Sequence, residues 1–360
     1  MKRMRYVAMA GLMCASGALA ACGSDDGADG GDGGGGGEGK VGVILPDTES
    51  SVRWETADKP ALEAAFDEAG VEHDIQNANG DAERMATIAD QMINEGVTVL
   101  AIVNLDSESG AAIQERAASA GVATIDYDRL TLGGSAEYYV SFDNTRVGEL
   151  QGQSLADCLG DEEANIAYLN GSPDDNNATL FAEGAHSVLD PMTQYTVVAE
   201  QAVPGWDNAE AGTIFEQMFT ENNGEIDGVL AANDGLGNAA IAILRKNNLA
   251  GEVPVTGQDA TVQGLQNVLD GTQCMTVYKS AKLEAGALAD LAIGLINGDE
   301  AETTGTVVDV SDDSEVPSIL LEPVAITEDN VADVVEDGGV TAADLCTGDY
   351  ADLCAEAGIS

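Results

Sequence analysis

The sequence predicts an α/β protein made of two parallel-sheet lobes, and three observations carry that expectation. From residue 40 onward, short β-rich runs alternate with helical patterns of about 12 to 16 residues, the pattern of βαβ units on a parallel sheet. Nearly every predicted strand ends in a hydrogen-bonding side chain, which is where open parallel sheets hold ligands. Residues 122–144 mark a crossing from one lobe to the other. A strand at 122–126 ends in Tyr127-Asp128-Arg129, a strand at 138–142 follows, and after Ser141-Phe142-Asp143-Asn144 a new helical run begins at Thr145. Two comparable sheets are expected, one on each side of that point.

Taken in order, the first half offers strands at 41–45, 73–76, 98–103, 122–126 and 138–142, with helices at 54–69, 83–95 and 107–120 between them. The second half offers strands at 165–169, 195–199, 228–232, 253–256 and 275–278. Its helices are expected at 146–159, 175–189, 208–222, 236–247, 262–270 and 282–297. The strand ends present Asp47, Asn104, Asp128 with Arg129, and Asp143 with Asn144. In the second half they present the segment 172–177, then Trp206, Asn233 with Asp234, Gln258 with Asp259, and Lys279. Turns are polar in any protein, so the weight lies on the set converging on one cleft rather than on any single position.

Composition narrows the ligand. A chain of 360 residues has room for two domains, and 44% hydrophobic residues exclude a wholly disordered chain. No apolar run downstream of the N-terminus is long enough to span a bilayer. A net charge of −50 repels phosphate backbones and anionic lipid, which argues against nucleic acid and peripheral membrane binding. Its plainer meaning is solubility, in a salty medium for instance. Of 14 basic residues, Lys2, Arg3 and Arg5 open the chain, leaving eleven. Three of those, Arg53, Arg129 and Lys279, fall at expected cleft positions facing Asp128, Asp234 and Asp259. The cleft is therefore nearly neutral inside an anionic protein. A cationic ligand would not need those cations, and a phosphate would have kept fewer acids. A neutral polyol can donate to the carboxylates and accept from Arg, Lys and Asn. Trp54 and Trp206 are the only tryptophans. Trp206 lies in the turn Pro204-Gly205-Trp206-Asp207, which suits an exposed platform for the C–H face of a pyranose, with ordinary packing as the plainer alternative for both indoles.

The N-terminus carries an address. Lys2, Arg3 and Arg5 precede an apolar stretch at 6–19. The segment Leu19-Ala20-Ala21-Cys22 resembles a bacterial lipobox, which implies cleavage before Cys22 and diacylglycerol on its sulfur; an ordinary secretory signal cut at Ala21 is the alternative. Residues 23–39, nearly all Gly, Asp and Ser, read as a flexible tether. The folded part is thus expected outside the cytoplasm, held to the outer face of the cell membrane by a lipid anchor only. With Cys14 and Cys22 set aside, Cys158, Cys274, Cys346 and Cys354 suggest two disulfides. Four cysteines permit three pairings; the short loop favours Cys346 with Cys354, leaving Cys158 with Cys274. No CxxC and only two histidines, His73 and His186, argue against zinc, and no cofactor or metal is expected.

Six segments occur in order and carry a family resemblance: Ser51-Val52-Arg53-Trp54, Tyr127-Asp128-Arg129, Ser141-Phe142-Asp143-Asn144, Gly171 through Asn177, Gly257-Gln258-Asp259 and Thr276-Val277-Tyr278-Lys279. Together they resemble the D-xylose-binding and multiple-sugar-binding family of periplasmic sugar-binding proteins of ABC transporters, over about residues 41–337. The resemblance implies a type I periplasmic binding protein fold, two Rossmann-like lobes joined by a three-segment hinge. It implies lobes at 40–143 plus 280–320 and at 144–279 plus 321–360; the signal at 1–21 and the lipid-anchored tether at 22–39, read from the N-terminal residues, precede them. It implies a monomer that encloses xylose or a similar aldose and hands it to a permease and its ATPase. Carried over by position, Arg53, Trp54, Asp128 and Arg129 would face the sugar from the first lobe, with Asn104 a weaker member. Asn176 or Asn177, Trp206, Asn233 or Asp234, Asp259 and Lys279 would face it from the second. The tether, the Cys346–Cys354 tail and Cys158 with Cys274 depart from the family pattern and suggest a lipid-anchored version in a bacterium without a conventional periplasm.

Other readings are weaker. Gly235-Leu236-Gly237-Asn238-Ala239-Ala240 has the form of a dinucleotide fingerprint, but Asn233-Asp234 before it would crowd a pyrophosphate with negative charge. There is no GxSxG, and both histidines lie outside the cleft segments. Asp128 and Asp259 could form a glycosidase pair only if the lobes closed to a fixed separation. Asp174-Asp175-Asn176-Asn177 lacks the alternating spacing of a calcium loop. A sugar sensor presenting its ligand to a membrane receptor remains the second functional reading.

Overall fold

The computed structural model describes residues 39–48 and 50–359. The expected signal, Cys22 and all but the last residue of the tether lie outside the described residues. Among the described residues, no helix is long and apolar enough to cross a membrane.

The first lobe is organised by β1 (Lys40–Leu45), β2 (Glu72–Asn77), β3 (Val99–Ile102), β4 (Ala123–Tyr127) and β5 (Tyr138–Phe142). These strands are parallel, with β1 between β2 and β3, so the strand order reverses beside β1. Ligands of doubly wound sheets bind at that switch point, outside the carboxyl ends of the strands. Helices α1 (Lys59–Ala69), α2 (Ala82–Asn94) and α3 (Ser107–Ser119) connect them. Asp81 and Asp106 cap α2 and α3 by accepting the amides of Arg84 and Ser109. The helix expected from residue 54 begins instead with a wide π-type turn, Trp54–Asp58, before α1. Such turns are frequent at functional sites.

The second lobe follows Asp143, which accepts the Arg146 amide and so starts α4 (Asn144–Leu159). Strands β6 (Ala164–Asn170), β7 (Tyr195–Ala202), β8 (Gly228–Ala231) and β9 (Thr276–Tyr278) alternate with α5 (Asn176–Leu189), α6 (Asn208–Glu221), α7 (Asp234–Lys246) and α8 (Val262–Leu269). The chain then returns through α9 (Ala281–Asn297), β10 (Gly305–Asp309) and β11 (Ser314–Leu321) to the first sheet, where β11 pairs with β5. It crosses back to β12 (Val324–Ile326), antiparallel to β9, and ends in the short helices α10 (Val331–Asp337), α11 (Ala342–Leu345) and α12 (Tyr350–Glu356). The lobes are thus joined three times, after β5, after β9 and after β11.

The two sheets are not comparable, contrary to expectation. The first has seven strands, widened by the β10–β11 hairpin. The second is broken into a three-stranded and a two-stranded piece. The run expected as a strand at 253–256 makes only isolated bridges, Val229 with Val255 and Ala250 with Val253. Pro254 lies in this run and has no N–H to give the ladder. The segment still ties β8 to β9, since Thr256 N donates to Val229 O and Val277 N donates to Gly257 O. Cys158 is bonded to Cys274, joining α4 to the approach to β9, and Cys346 is bonded to Cys354 across the α11–α12 loop.

Candidate functional site

Arg53, Trp54, Asp128, Arg129, Asn177, Trp206, Asn233, Asp259 and Lys279 line one cavity between the lobes, which the direct contacts across it narrow to about 30 Å³. Its walls also include Ser50, Ser51, Asp175, Phe181 and Gln258.

Asp128 is the hub. It follows β4 with φ of 61°, the left-handed region that Asp and Asn tolerate best. Its backbone oxygen accepts from the Tyr139 hydroxyl at 2.9 Å, the Ser141 hydroxyl at 2.8 Å and the Asn177 amide at 2.9 Å. Ser141 and Asn144, singled out in the sequence as part of the crossing, therefore act as its support: Asn144 Nδ2 holds the Tyr139 oxygen and Asn177 Oδ1. The Asp128 carboxylate takes Arg53 Nη1 at 3.1 Å and Lys279 Nζ at 3.3 Å. Burial would raise this carboxyl, but Lys279, Arg53 and Arg129 outweigh it and hold it below the usual range.

Behind Arg53 lies a group that sequence reasoning missed. Asp58 grips the guanidinium through Nε at 2.7 Å and Nη2 at 2.6 Å, and Glu284 Oε2 sits 2.6 Å from Nη2. Both acids are fully buried. One guanidinium serves three carboxylates, so Glu284 is the one left short of charge. Burial pushes its carboxyl up to about 8, with Arg53 only partly opposing.

Across the cleft, Asp175 caps α5 through the Asn177 amide and accepts Trp206 Nε1 at 3.1 Å, while Arg129 Nε lies 2.9 Å away. Trp206 is not the exposed platform expected. It is 5% exposed and belongs to the second lobe's core, with only part of the indole reaching the cavity. Left-handed conformations at Gly205 and Trp206 (φ 61° and 57°) fold the ring back over Gly171, where a Cβ would collide with it. Trp54 is also buried, with the Arg53 guanidinium 4.7 Å from its ring centre.

Three candidates stand elsewhere. Asn104 lies outside the cavity walls, where its side-chain amide donates to Thr131 Oγ1 and Arg129 O and its backbone oxygen accepts from Arg129 Nη1. Asn176 is half-buried and outside the cavity walls; its neighbour Asn177 is the one that points in. Asp234 is fully buried and faces away, accepting from Thr261, Gln273 and Thr276. Helix α7 starts between Asn233 and Asp234, so Asn233 caps it at the cleft while the next residue turns inward. Burial raises the Asp234 carboxyl to about 7. Asp175 takes its place in the charge balance: the walls carry Arg53, Arg129 and Lys279 against Asp128, Asp175 and Asp259.

Several contacts close the cleft directly, the Lys279–Asp128 pair among them. Ser51 Oγ donates to Asp259 Oδ2 at 2.7 Å, Asn233 Nδ2 to Ser50 O at 3.2 Å, and Asn177 Nδ2 to Asp128 O, beside the Arg129–Asp175 pair.

This architecture coincides with a known family model. Residues 41–300 match the periplasmic binding protein domain. The chain belongs to the periplasmic binding protein family. It is 36% identical over 303 residues to the D-xylose-binding periplasmic protein of Escherichia coli, covering 83% of this chain and 90% of that one. It is 32% identical over 324 residues to the multiple sugar-binding periplasmic receptor ChvE of Rhizobium radiobacter, covering 84% and 91% of the two chains. A carbohydrate transporter solute-binding protein from Chloroflexus aurantiacus, solved with D-glucose, superimposes with a TM-score of 0.78 at 28% identity, over 84% of this chain and 97% of that one. This periplasmic binding protein has the type I fold, with its cleft where the two lobes meet.

Proposed function

We propose that the protein is an extracytoplasmic lipoprotein, anchored through Cys22, that captures xylose or a similar aldose and delivers it to an ABC permease. The observation that carries this reading is the cavity itself: three cations against three carboxylates, two indoles and a phenyl ring, between two lobes. Such walls match an uncharged ligand dense in hydroxyls. The D-xylose-binding and D-glucose-bound relatives support the same ligand class. The sugar would replace the direct bonds between lobes with bonds to its own hydroxyls, Arg53, Asp128 and Arg129 holding one side and Asn177, Asn233, Asp259 and Lys279 the other. The moving halves would be residues 40–143 plus 280–320 and 144–279 plus 321–360. Favouring the closed form then requires only that closed contacts exceed open ones. The sugar leaves chemically unchanged.

A panel of pentoses and hexoses tests this through thermal unfolding and tryptophan fluorescence, since both indoles border the cavity. A sugar at a hundred times its dissociation constant should add about 2.7 kcal/mol of stability. No response to any simple aldose would end the proposal.

A further inference from the structure

Three larger cavities share walls with the inner one, and two of them contrast in charge. One is bordered by Asp47, Asp106, Asp174, Asp207 and Glu210 and is acidic. The other is a chamber of about 750 Å³, open to solvent, that shares Ser50, Ser51, Arg53, Asn233 and Asp259 with the inner cavity. Beyond those shared residues its charged lining is Asp344 alone, while Thr56, Asn208, Asn238 and Gln263 contribute hydroxyl and amide groups. In a chain with 64 acidic residues, one wall so poor in charge is informative. It also carries Val52, an aliphatic side chain 55% exposed. Neutral polar groups beside an aliphatic surface suit the edge and the C–H face of a sugar ring.

What separates the two spaces is slight. The Ser51 hydroxyl bonded to Asp259, and the Asn233 amide bonded to Ser50 O, form the partition. Rotation of the Ser51 side chain would break the first bond and leave Asp259 Oδ2 able to accept a ligand hydroxyl.

We propose that this chamber is a second sugar subsite, so that the cleft accepts a neutral disaccharide as well as a monosaccharide. One ring occupies the inner cavity, the glycosidic oxygen passes Ser51 and Asp259, and the second ring lies in the chamber. The inference rests on the sugar-binding reading of the inner cavity and extends it.

Calorimetric titration tests it with D-xylose, D-glucose and the β-1,4-linked dimer of each. Thr56→Trp and Gln263→Trp fill the chamber from opposite lobes, both at exposed positions outside the inner cavity. The wild type should bind at least one dimer; each variant should weaken that dimer about tenfold or more, a loss of about 1.4 kcal/mol, while monosaccharide affinity stays within about twofold. Retained monosaccharide binding shows that a variant is folded, and either variant suffices. A wild type that takes the monosaccharide and refuses both dimers overturns the subsite alone. So does dimer affinity unmoved by the substitutions. Failure to bind monosaccharide and dimer alike overturns the underlying reading, and the subsite with it.

Discussion

Asp128 concentrates the logic of the cleft in one residue. Its positive φ aims the carboxylate between Arg53 and Lys279, and backbone strain of about 1–3 kcal/mol at such a position persists only where surroundings enforce it. Tyr139, Ser141 and Asn177 supply that enforcement. Asp128→Asn keeps the conformational tolerance and removes the charge, so sugar affinity should fall by about 1.5–3 kcal/mol in calorimetry, the scale of a hydrogen bond to an ion. Unchanged affinity would take Asp128 out of ligand binding. Glu284 makes a separate, pH-dependent claim. Its folded carboxyl titrates near 8, against an ordinary 4.5, so folding takes up a proton between those limits. Stability from this group is fully present below the unfolded value and is lost as pH rises through the folded one. Glu284→Gln should flatten the decline in urea midpoint between about pH 5 and pH 8, by at most about 1.4 kcal/mol per pH unit. Parallel profiles for wild type and variant would show that Glu284 stays ionised in the fold.

At the scale of elements, helices and strands with local periodicity were legible, as were the polar residues just beyond them. The misses have physical causes. Strand β12 is short and pairs with β9, β11 joins β5 far back in the sequence, and β10 and β11 flank an Asp-rich turn that reads as loop. Asp58 and Glu284 reach Arg53 from 5 and 231 residues away, and nothing local marks an acid on a helix as buried. Asp234 was misplaced because adjacent residues at a helix start point about 100° apart, and only Asn233 faces the cleft. The turn around Trp206 reads as exposed because a sequence hides how its left-handed backbone folds the ring inward. That geometry is testable at the end of β6. A methyl at Gly171 would land on the indole, so Gly171→Ala should move the ring off Asp175, at about 1–3 kcal/mol of overpacking. Near-UV circular dichroism should change and sugar affinity should fall. Preserved spectrum and affinity would mean that the ring is not pinned there.

For the whole molecule, the decisive contrast is between a surface of one sign and a cleft of none. A chain of net charge −50 repels itself on compaction, and mobile ions screen that repulsion over about 10 Å at 0.1 M. Folding stability should therefore rise with salt. The cleft behaves differently, because its three cations and three carboxylates are paired at close range and face a neutral ligand. The two effects separate in one experiment, run from about 0.05 M to about 1 M sodium chloride. The urea midpoint should climb steadily, while the dissociation constant of a bound sugar should move by less than about threefold. An affinity that collapses with salt would show that the cleft's charges are not balanced and remove the premise on which both the sugar site and its outer chamber rest. Stability indifferent to salt would instead say that the acidic surface is already neutralised by bound cations, leaving the argument about the cleft intact.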